Sequence, residues 1–94
     1  MRSNTYYLSI DEVMAIHEAM ITLYDGMPGI RDFSMLQSSL SRPQATFGDS
    51  DLYESIFDKA TALLHSLISN HPFFDANKRT ALGATAWFVA ANGF

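Results

Sequence analysis

The eleven residues from Ala81 to Ala91 constrain the fold more strongly than any other stretch of the sequence. They carry no charge, and only Gly83 and Thr85 interrupt an otherwise apolar run. A helix that is apolar on every side is buried by its neighbours, so this segment is predicted to be the centre of a helical bundle. It is much shorter than the roughly 20 residues that span a bilayer. We predict a last helix over about residues 76–91.

An amphipathic segment near the start of the chain predicts a first helix over residues 10–24. Ser9 and Glu12 have the spacing of a capping box, in which each side chain bonds the backbone N–H of the other residue. Apolar side chains then recur at helical spacing until a turn rich in glycine and proline follows. A second, shorter helix is predicted to begin after Asp32, a good N-cap, and to end before Pro43.

A third amphipathic helix is predicted to run to about residue 69, with Ser50 or Asp51 as its N-cap. Asn70 then suits a left-handed position at its C-terminus. The chain has 94 residues and no cysteine, so it is long enough for one core and has neither disulfides nor thiolate metal sites. These patterns predict an all-α fold with a single domain over residues 1–94.

The charge balance and the N-terminus exclude several classes of function. The net charge is −4, and Lys78-Arg79 is the only basic cluster, which argues against direct binding of nucleic acid. Residues 1–4 lack the apolar core of a signal sequence. Together with the absence of cysteine and of a membrane-length segment, these features predict a cytoplasmic protein without membrane contact.

The segment His71-Pro72-Phe73-Phe74-Asp75-Ala76-Asn77-Lys78-Arg79, which we call the motif loop, joins the third and fourth helices. Lys78 and Arg79 fall in the first turn of the fourth helix, where the helix dipole already places partial positive charge. A bound polyanion would resolve this conflict, because free N–H groups, the dipole and two cations together form a phosphate site. The sequence therefore predicts phosphate binding at this helix start.

The other side chains of the motif loop would complete a nucleotide and metal site. Asp75 can hold Mg²⁺ together with phosphate oxygens, and Asn77 can either contact phosphate or fix the loop. His71 can take a proton from a hydroxyl near neutral pH, as a general base does. Phe73 and Phe74 are expected to anchor the loop, with one ring or both turned into the core.

Plainer interpretations exist for the same residues. Asp75 alone is a good helix N-cap, and His71 alone is an ordinary loop histidine. A metal triad of His17, His65 and His71 lacks ligand spacing, so packing or solvation is favoured for the first two. A helical interaction module without enzymatic activity would explain the apolar helices, but it would not explain cations at a helix N-terminus.

The motif loop resembles the signature of the Fic/Doc family, whose Fic form reads His-x-Phe-x-Asp/Glu-Gly-Asn-Gly-Arg-x-x-Arg. Five defining side chains are in register. Residues 8–12, 28–32 and 41–47 are similar to the death-on-curing branch of that family, so the resemblance covers nearly the whole chain. It implies a Fic/Doc-type helical bundle with the motif loop at the N-terminus of a central buried helix. Members of that branch usually continue past the position of Phe94, so we expect this chain to be C-terminally short.

Two departures from the Fic form bear on the reaction. Lys78 stands where Fic adenylyltransferases have the second glycine, and Leu82 stands where they have the second arginine. The death-on-curing toxins are similar to this chain at both positions. The resemblance therefore implies a toxin-like kinase that transfers the γ-phosphoryl group of a nucleoside triphosphate to a protein hydroxyl. The family target is a threonine of translation elongation factor Tu, and its modification would inhibit translation. AMP transfer is the alternative.

The resemblance also implies a role for each polar residue of the motif loop. His71 would be the general base on the target hydroxyl, and Asp75 would bind Mg²⁺. Asn77, Lys78 and Arg79 would hold the phosphates of ATP or another nucleoside triphosphate. Positioning and charge stabilisation of this kind are most of what phosphoryl transfer requires.

Two protein partners are implied as well. In Fic-fold proteins a flap equivalent to residues 42–50 docks the target segment, partly by main-chain pairing, and Thr46 and Phe47 would make that contact. The alternative is an ordinary helix connection with Phe47 in the core. In many Fic enzymes an inhibitory glutamate pairs with the arginine that Leu82 replaces. We therefore expect control by a separate antitoxin, whose disordered tail would bind an apolar groove between helices.

Overall fold

Four α-helices and one short β-hairpin make up the part of the chain that the structure describes. The structure, a computed structural model, describes residues 4–94. The elements are α1 (Ile10–Tyr24), α2 (Phe33–Ser41), a 3₁₀ turn (Arg42–Gln44), β1 (Thr46–Phe47), β2 (Ser50–Asp51), α3 (Ile56–Asn70) and α4 (Asn77–Ala91). The two strands pair antiparallel, with Thr46 opposite Asp51. The predicted all-α class is confirmed, and no helix within residues 4–94 is long and apolar enough to cross a membrane.

Side-chain caps start the first two helices where the sequence predicts them. The Ser9 hydroxyl accepts the Glu12 N–H at 3.2 Å, and the Glu12 carboxylate accepts the Ser9 N–H at 2.9 Å. This reciprocal pair confirms the capping box at the start of α1. The Asp32 carboxylate accepts the Met35 N–H at 3.1 Å and caps α2.

The third helix begins later than predicted. Its N-cap is Ser55, whose hydroxyl accepts the Asp58 N–H at 3.0 Å, so the assignment of the cap to Ser50 or Asp51 is wrong. Those two residues form β2 instead. Pairing with β1 keeps them extended rather than helical. The Asp51 carboxylate also accepts a hydrogen bond from the buried Lys59 ammonium at 3.2 Å, which ties this strand to α3.

The core forms where α4 packs against α3 and α1, and α2 packs against α3. Small residues allow this close approach: a Cβ added to Gly83 of α4 would lie 3.0 Å from the Ile16 side chain of α1. The core is closed by apolar side chains from every helix, among them Val13, Leu36, Leu63, Leu67, Ala81, Ala84 and Phe88.

The fourth helix is central but is not enclosed on every side. Ala81, Ala84 and Phe88 are buried against the other helices, whereas Leu82 and Trp87 are 60% and 53% exposed. The described helices cover one face of α4, and its apolar composition continues onto the uncovered face. The motif loop therefore leads into a helix with one buried and one open side.

Candidate active site

The motif loop is held against the connection between α1 and α2 by backbone pairing. Ile30 and Phe73 form an isolated antiparallel β-bridge. Beside it, the Arg31 N–H donates to the Pro72 carbonyl at 2.7 Å. Residues 72–74 lie between α3 and α4 and so lack helical hydrogen bonds. Pairing with residues 29–32 gives their backbone groups partners instead.

Phe73 anchors the motif loop in the core. Its side chain is 1% exposed and stacks on the buried His17 imidazole, with ring centroids 3.8 Å apart and planes 10° from parallel. The Nε2 atom of His17 lies 3.1 Å from the Asp75 carbonyl, which can only accept, so the imidazole donates to the loop backbone. Phe74 is 56% exposed. Of the two phenylalanines, Phe73 alone turns its ring into the core.

The role of His17 is therefore packing and loop support, as favoured from the sequence. Within residues 4–94, no group of three or more His, Cys, Asp or Glu side chains could hold a metal ion. The hypothetical metal triad of the three histidines does not form in this part of the chain.

His71 ends α3 in the left-handed conformation, with φ 48° and ψ 56°. The sequence assigned that position to Asn70, which is instead the last residue of the helix. The reason is a tertiary contact, because the Asn70 amide donates to the Ser39 hydroxyl at 3.0 Å and keeps its residue packed between α3 and α2. The left-handed turn therefore falls one residue later and turns the His71 backbone out of the helix.

The His71 imidazole has the tautomer that a general base needs. Its Nδ1 atom lies 3.0 Å from the Ile68 carbonyl, and a carbonyl can only accept. In the neutral imidazole the ring proton is therefore on Nδ1, which leaves the lone pair on Nε2. Since the side chain is exposed, this lone pair is accessible to a substrate hydroxyl.

Arg31 holds the backbone on which His71 sits. Its Nε donates to the His71 carbonyl at 2.6 Å, and its Nη2 donates to the Asn70 carbonyl at 2.8 Å. These carbonyls lie at the C-terminal end of α3, where they lack helical partners and where a cation is favourable. Arg31 has no individual role predictable from the sequence, because nothing local indicates a contact between residues 40 positions apart.

Asp75 presents an ionised carboxylate at the start of α4. One oxygen accepts the Met27 N–H at 2.9 Å, and the other accepts the Ala76 N–H at 2.8 Å. These two N–H groups, and then the charge of Arg79 and of His17, hold the pKa of Asp75 below its usual value. Asp75 is not the N-cap of α4, so the plainer interpretation of this residue is wrong. Each oxygen keeps a second lone pair for a ligand such as Mg²⁺.

The N-terminus of α4 is open to an anion. Ala76 is its N-cap, with φ 62° and ψ 28°, and it makes no side-chain capping bond. The Thr80 N–H bonds the Ala76 carbonyl at 2.9 Å, so the N–H groups of residues 77–79 precede the first helical hydrogen bond. Lys78 and Arg79 add two cations at the same end. The free backbone N–H groups, the positive end of the helix dipole and the two cationic residues therefore occur together at the start of α4, as the sequence predicts.

The Asn77 side chain closes the turn of the motif loop. Its Oδ1 accepts the Phe73 N–H at 3.0 Å, and its Nδ2 donates to the Phe73 carbonyl at 2.9 Å. The residue is 7% exposed. These bonds correspond to the loop-fixing role considered from the sequence, and contact between the Asn77 side chain and phosphate stays a prediction.

The residues of the motif loop that were predicted to act as base, metal ligand and phosphate ligands line one open cleft with a volume of ≈ 500 Å³. Its lining consists of His71, Phe74, Asp75, Ala76, Asn77, Lys78 and Arg79. The candidate base, metal ligand and phosphate ligands therefore face the same space. Thr46 and Phe47 do not line this cleft.

The hairpin of β1 and β2 is a surface element. Phe47 is 82% exposed, so the alternative that places its ring in the core is wrong. The hairpin is anchored by Lys59 of α3, which is fully buried and donates to the Asp51 carboxylate and to the Tyr53 carbonyl. This role of Lys59 was not predicted from the sequence. Its position four residues before Leu63, on the apolar stripe of α3, was the available signal.

Comparison with known proteins gives a consistent set of matches. The model of the Fic/DOC family matches residues 7–89. The chain is 40% identical to Toxin Doc of Mycolicibacterium smegmatis over 89 residues. This matched region covers 95% of this chain and 66% of that protein. It is 33% identical over 87 residues to Protein kinase doc of Escherichia phage P1, with 93% of this chain and 68% of that protein covered. The chain thus spans about two thirds of the length of these relatives. No solved structure matches it.

Proposed function

Because the chain belongs to the Fic/Doc family, we propose that it is a toxin-type protein kinase that transfers the γ-phosphoryl group of ATP, or another nucleoside triphosphate, to a protein hydroxyl. The observation that carries this proposal is the shared cleft at the start of α4. It combines a base with a free lone pair, an ionised carboxylate, two cations and uncapped N–H groups. The printed names of the two relatives, a toxin and a protein kinase, agree with this chemistry.

In the proposed reaction the start of α4 binds the triphosphate. The N–H groups of residues 77–79 would cradle phosphate oxygens, and Lys78 and Arg79 would neutralise their charge. Asp75 fits Mg²⁺, which is commonly bound by one or two carboxylates together with substrate phosphates. Bound Mg²⁺ would neutralise charge on the transferred group. Asn77 would add an amide contact or, through its bonds to Phe73, keep the cradle in shape.

His71 would act on the attacking hydroxyl. Its Nε2 would accept the hydroxyl proton while the oxygen bonds to the γ-phosphorus and the bond to the β-phosphate oxygen breaks, which releases the nucleoside diphosphate. The hydrogen bond from Nδ1 to the Ile68 carbonyl would stabilise the imidazolium that forms. Arg31 would keep the His71 backbone in place through the transfer.

The proposed protein substrate is a serine or threonine of a translation factor, with elongation factor Tu as the family precedent. Its segment would dock on the hairpin, where Thr46 and Phe47 offer exposed backbone and an exposed ring for strand addition. The proposed antitoxin would place an apolar tail in the groove between α1 and α4. That groove has a volume of ≈ 260 Å³ and is lined mainly by apolar side chains, among them Ala15, Ile16, Ala19 and Trp87.

The position of a radiolabel in ATP tests the reaction. Incubation of the chain with a cell lysate and γ-labelled ATP should label one protein, whereas α-labelled ATP should label none. Label from the α position would instead establish AMP transfer with the same base and metal site. If neither nucleotide labels any protein, the enzyme assignment fails and the helical interaction module is the better account.

A further inference from the structure

The guanidinium of Arg79 lies against the ring of Tyr24, the last residue of α1. Its Cζ is 3.8 Å from the centre of the ring, within the range of an attractive cation–π contact. A cation–π contact uses the positive charge of the guanidinium and needs none of its five N–H donors. Tyr24 therefore restricts a long flexible side chain without consuming the groups that would bind phosphate.

The same connection between α1 and α2 also holds the Asp75 carboxylate. The Met27 N–H donates to its Oδ2 at 2.9 Å. The glycine at the preceding position leaves room for this approach. A Cβ on Gly26 would lie 2.8 Å from that oxygen and 2.9 Å from the Ile21 side chain, so these side-chain ends would have to shift. Gly26 is not among the residues with positive φ, so what glycine provides here is space rather than a special conformation.

We propose that residues 24–27 form a positioning segment for the phosphate and metal ligands: Tyr24 orients Arg79, and Gly26 with Met27 orients Asp75. This inference deepens the proposed nucleotide site and rests on it. The segment belongs to a different part of the chain from the motif loop, and residues 27 and 75 are 48 positions apart. The segment links the end of α1 to the start of α4 through Asp75 and Arg79, which are the proposed metal ligand and one of the proposed phosphate ligands.

The exposure of the segment distinguishes positioning from core packing. Tyr24 is 54% exposed and Met27 is 60% exposed, so neither side chain contributes much to the core. Removing the Tyr24 ring should therefore change ligand binding more than folding. The neighbouring Leu23 is 71% exposed and supplies a matched control position on the same helix turn.

The experiment measures binding of magnesium–ATP to the full chain by calorimetry. Tyr24→Leu should weaken binding about 2- to 5-fold, the range that a surface cation–π contact provides. Tyr24→Phe keeps the ring and should bind like the wild type, as should the control Leu23→Ala. In an Arg79→Ala background, Tyr24→Leu should have no further effect. Equal weakening in both backgrounds would overturn the proposal.

Gly26→Ala tests the other half of the segment. The added methyl group should displace the Asp75 carboxylate, so the variant should need about 10-fold more Mg²⁺ for the same ATP affinity, as is typical when a support of a metal ligand is lost. ATP binding in the presence of EDTA should be unchanged. Weakening that is the same with and without Mg²⁺ would contradict a role for Gly26 in positioning a metal ligand.

A measurement without nucleotide separates this inference from the proposed function. The ring current of Tyr24 should shift the side-chain NMR signals of Arg79 upfield. Tyr24→Leu should abolish that shift, whereas Tyr24→Phe should keep it. An Arg79 signal that does not respond to Tyr24→Leu would overturn the positioning role, whether or not ATP binds. Failure of the wild type to bind magnesium–ATP, with the NMR response present, would overturn the proposed nucleotide site instead.

Discussion

Ala76→Gly should stabilise the protein, although glycine usually destabilises. Ala76 has φ 62° and ψ 28°, the left-handed conformation, in which a Cβ clashes with the following carbonyl oxygen. Removing that Cβ should recover about 1–2 kcal/mol. Glycine costs about 0.4–1 kcal/mol through the greater freedom of the unfolded chain. The expected net gain is therefore about 1 kcal/mol, or about 4–8 °C in melting temperature for a domain of this size.

Urea unfolding of the wild type and the variant measures this difference. Ala86→Gly is the matched control, because Ala86 lies on an exposed position within the same helix. Glycine there should cost about 1 kcal/mol. A free energy of unfolding that is lower for Ala76→Gly, as it is for Ala86→Gly, would refute this prediction. That result would mean that the α4 N-terminus does not have the left-handed cap on which the open anion site depends.

Three further changes have defined outcomes. His71→Ala should abolish phosphoryl transfer and leave the melting temperature nearly unchanged. Transfer by the variant at the wild-type rate would exclude His71 as the base. Lys59→Met should remove the anchor of the hairpin and increase the protease sensitivity of the segment around Asp51; an unchanged digestion pattern would show that Lys59 is not the anchor. The Ser9 N–H, and then Tyr6, hold the pKa of Glu12 below its usual value, so its stabilising effect is present at neutral pH and is lost as pH falls through the folded-state pKa. The stability gap between wild type and Glu12→Gln should close in acid, and a gap that persists there would contradict this linkage.

Local patterns in the sequence were sufficient for much of the architecture and for the motif loop. Ser9 with Glu12, and Asp32, predict helix starts because a cap acts within three residues of its partner. The convergence of His71, Asp75 and Arg79 was also predictable. These residues lie in one short loop, so proximity along the chain leads to proximity in space.

Contacts between distant parts of the chain could not be inferred in the same way. Arg31 reaches the His71 carbonyl across 40 positions, and Met27 reaches Asp75 across 48. No periodicity or capping rule encodes such pairs. The start of α3 was misplaced because Asp51 pairs with Thr46 in the hairpin and bonds Lys59, and both contacts compete with a local capping preference.

The exposure of individual apolar residues also depends on the assembled fold. Leu82 and Phe47 belong to segments whose composition is compatible with burial, yet both are largely exposed. Burial is set by which neighbouring elements cover a position, and within residues 4–94 α1 and α3 cover only one face of α4. Composition therefore identified the central helix without identifying its open side.

The intact mass of a purified target tests the central claim most directly. The chain would be incubated with magnesium–ATP and purified elongation factor Tu, followed by mass spectrometry of the factor. The account predicts a gain of one phosphoryl group on a threonine with the wild type and no gain with His71→Ala. A gain of AMP would contradict phosphoryl transfer, and an unmodified factor would contradict the proposed target.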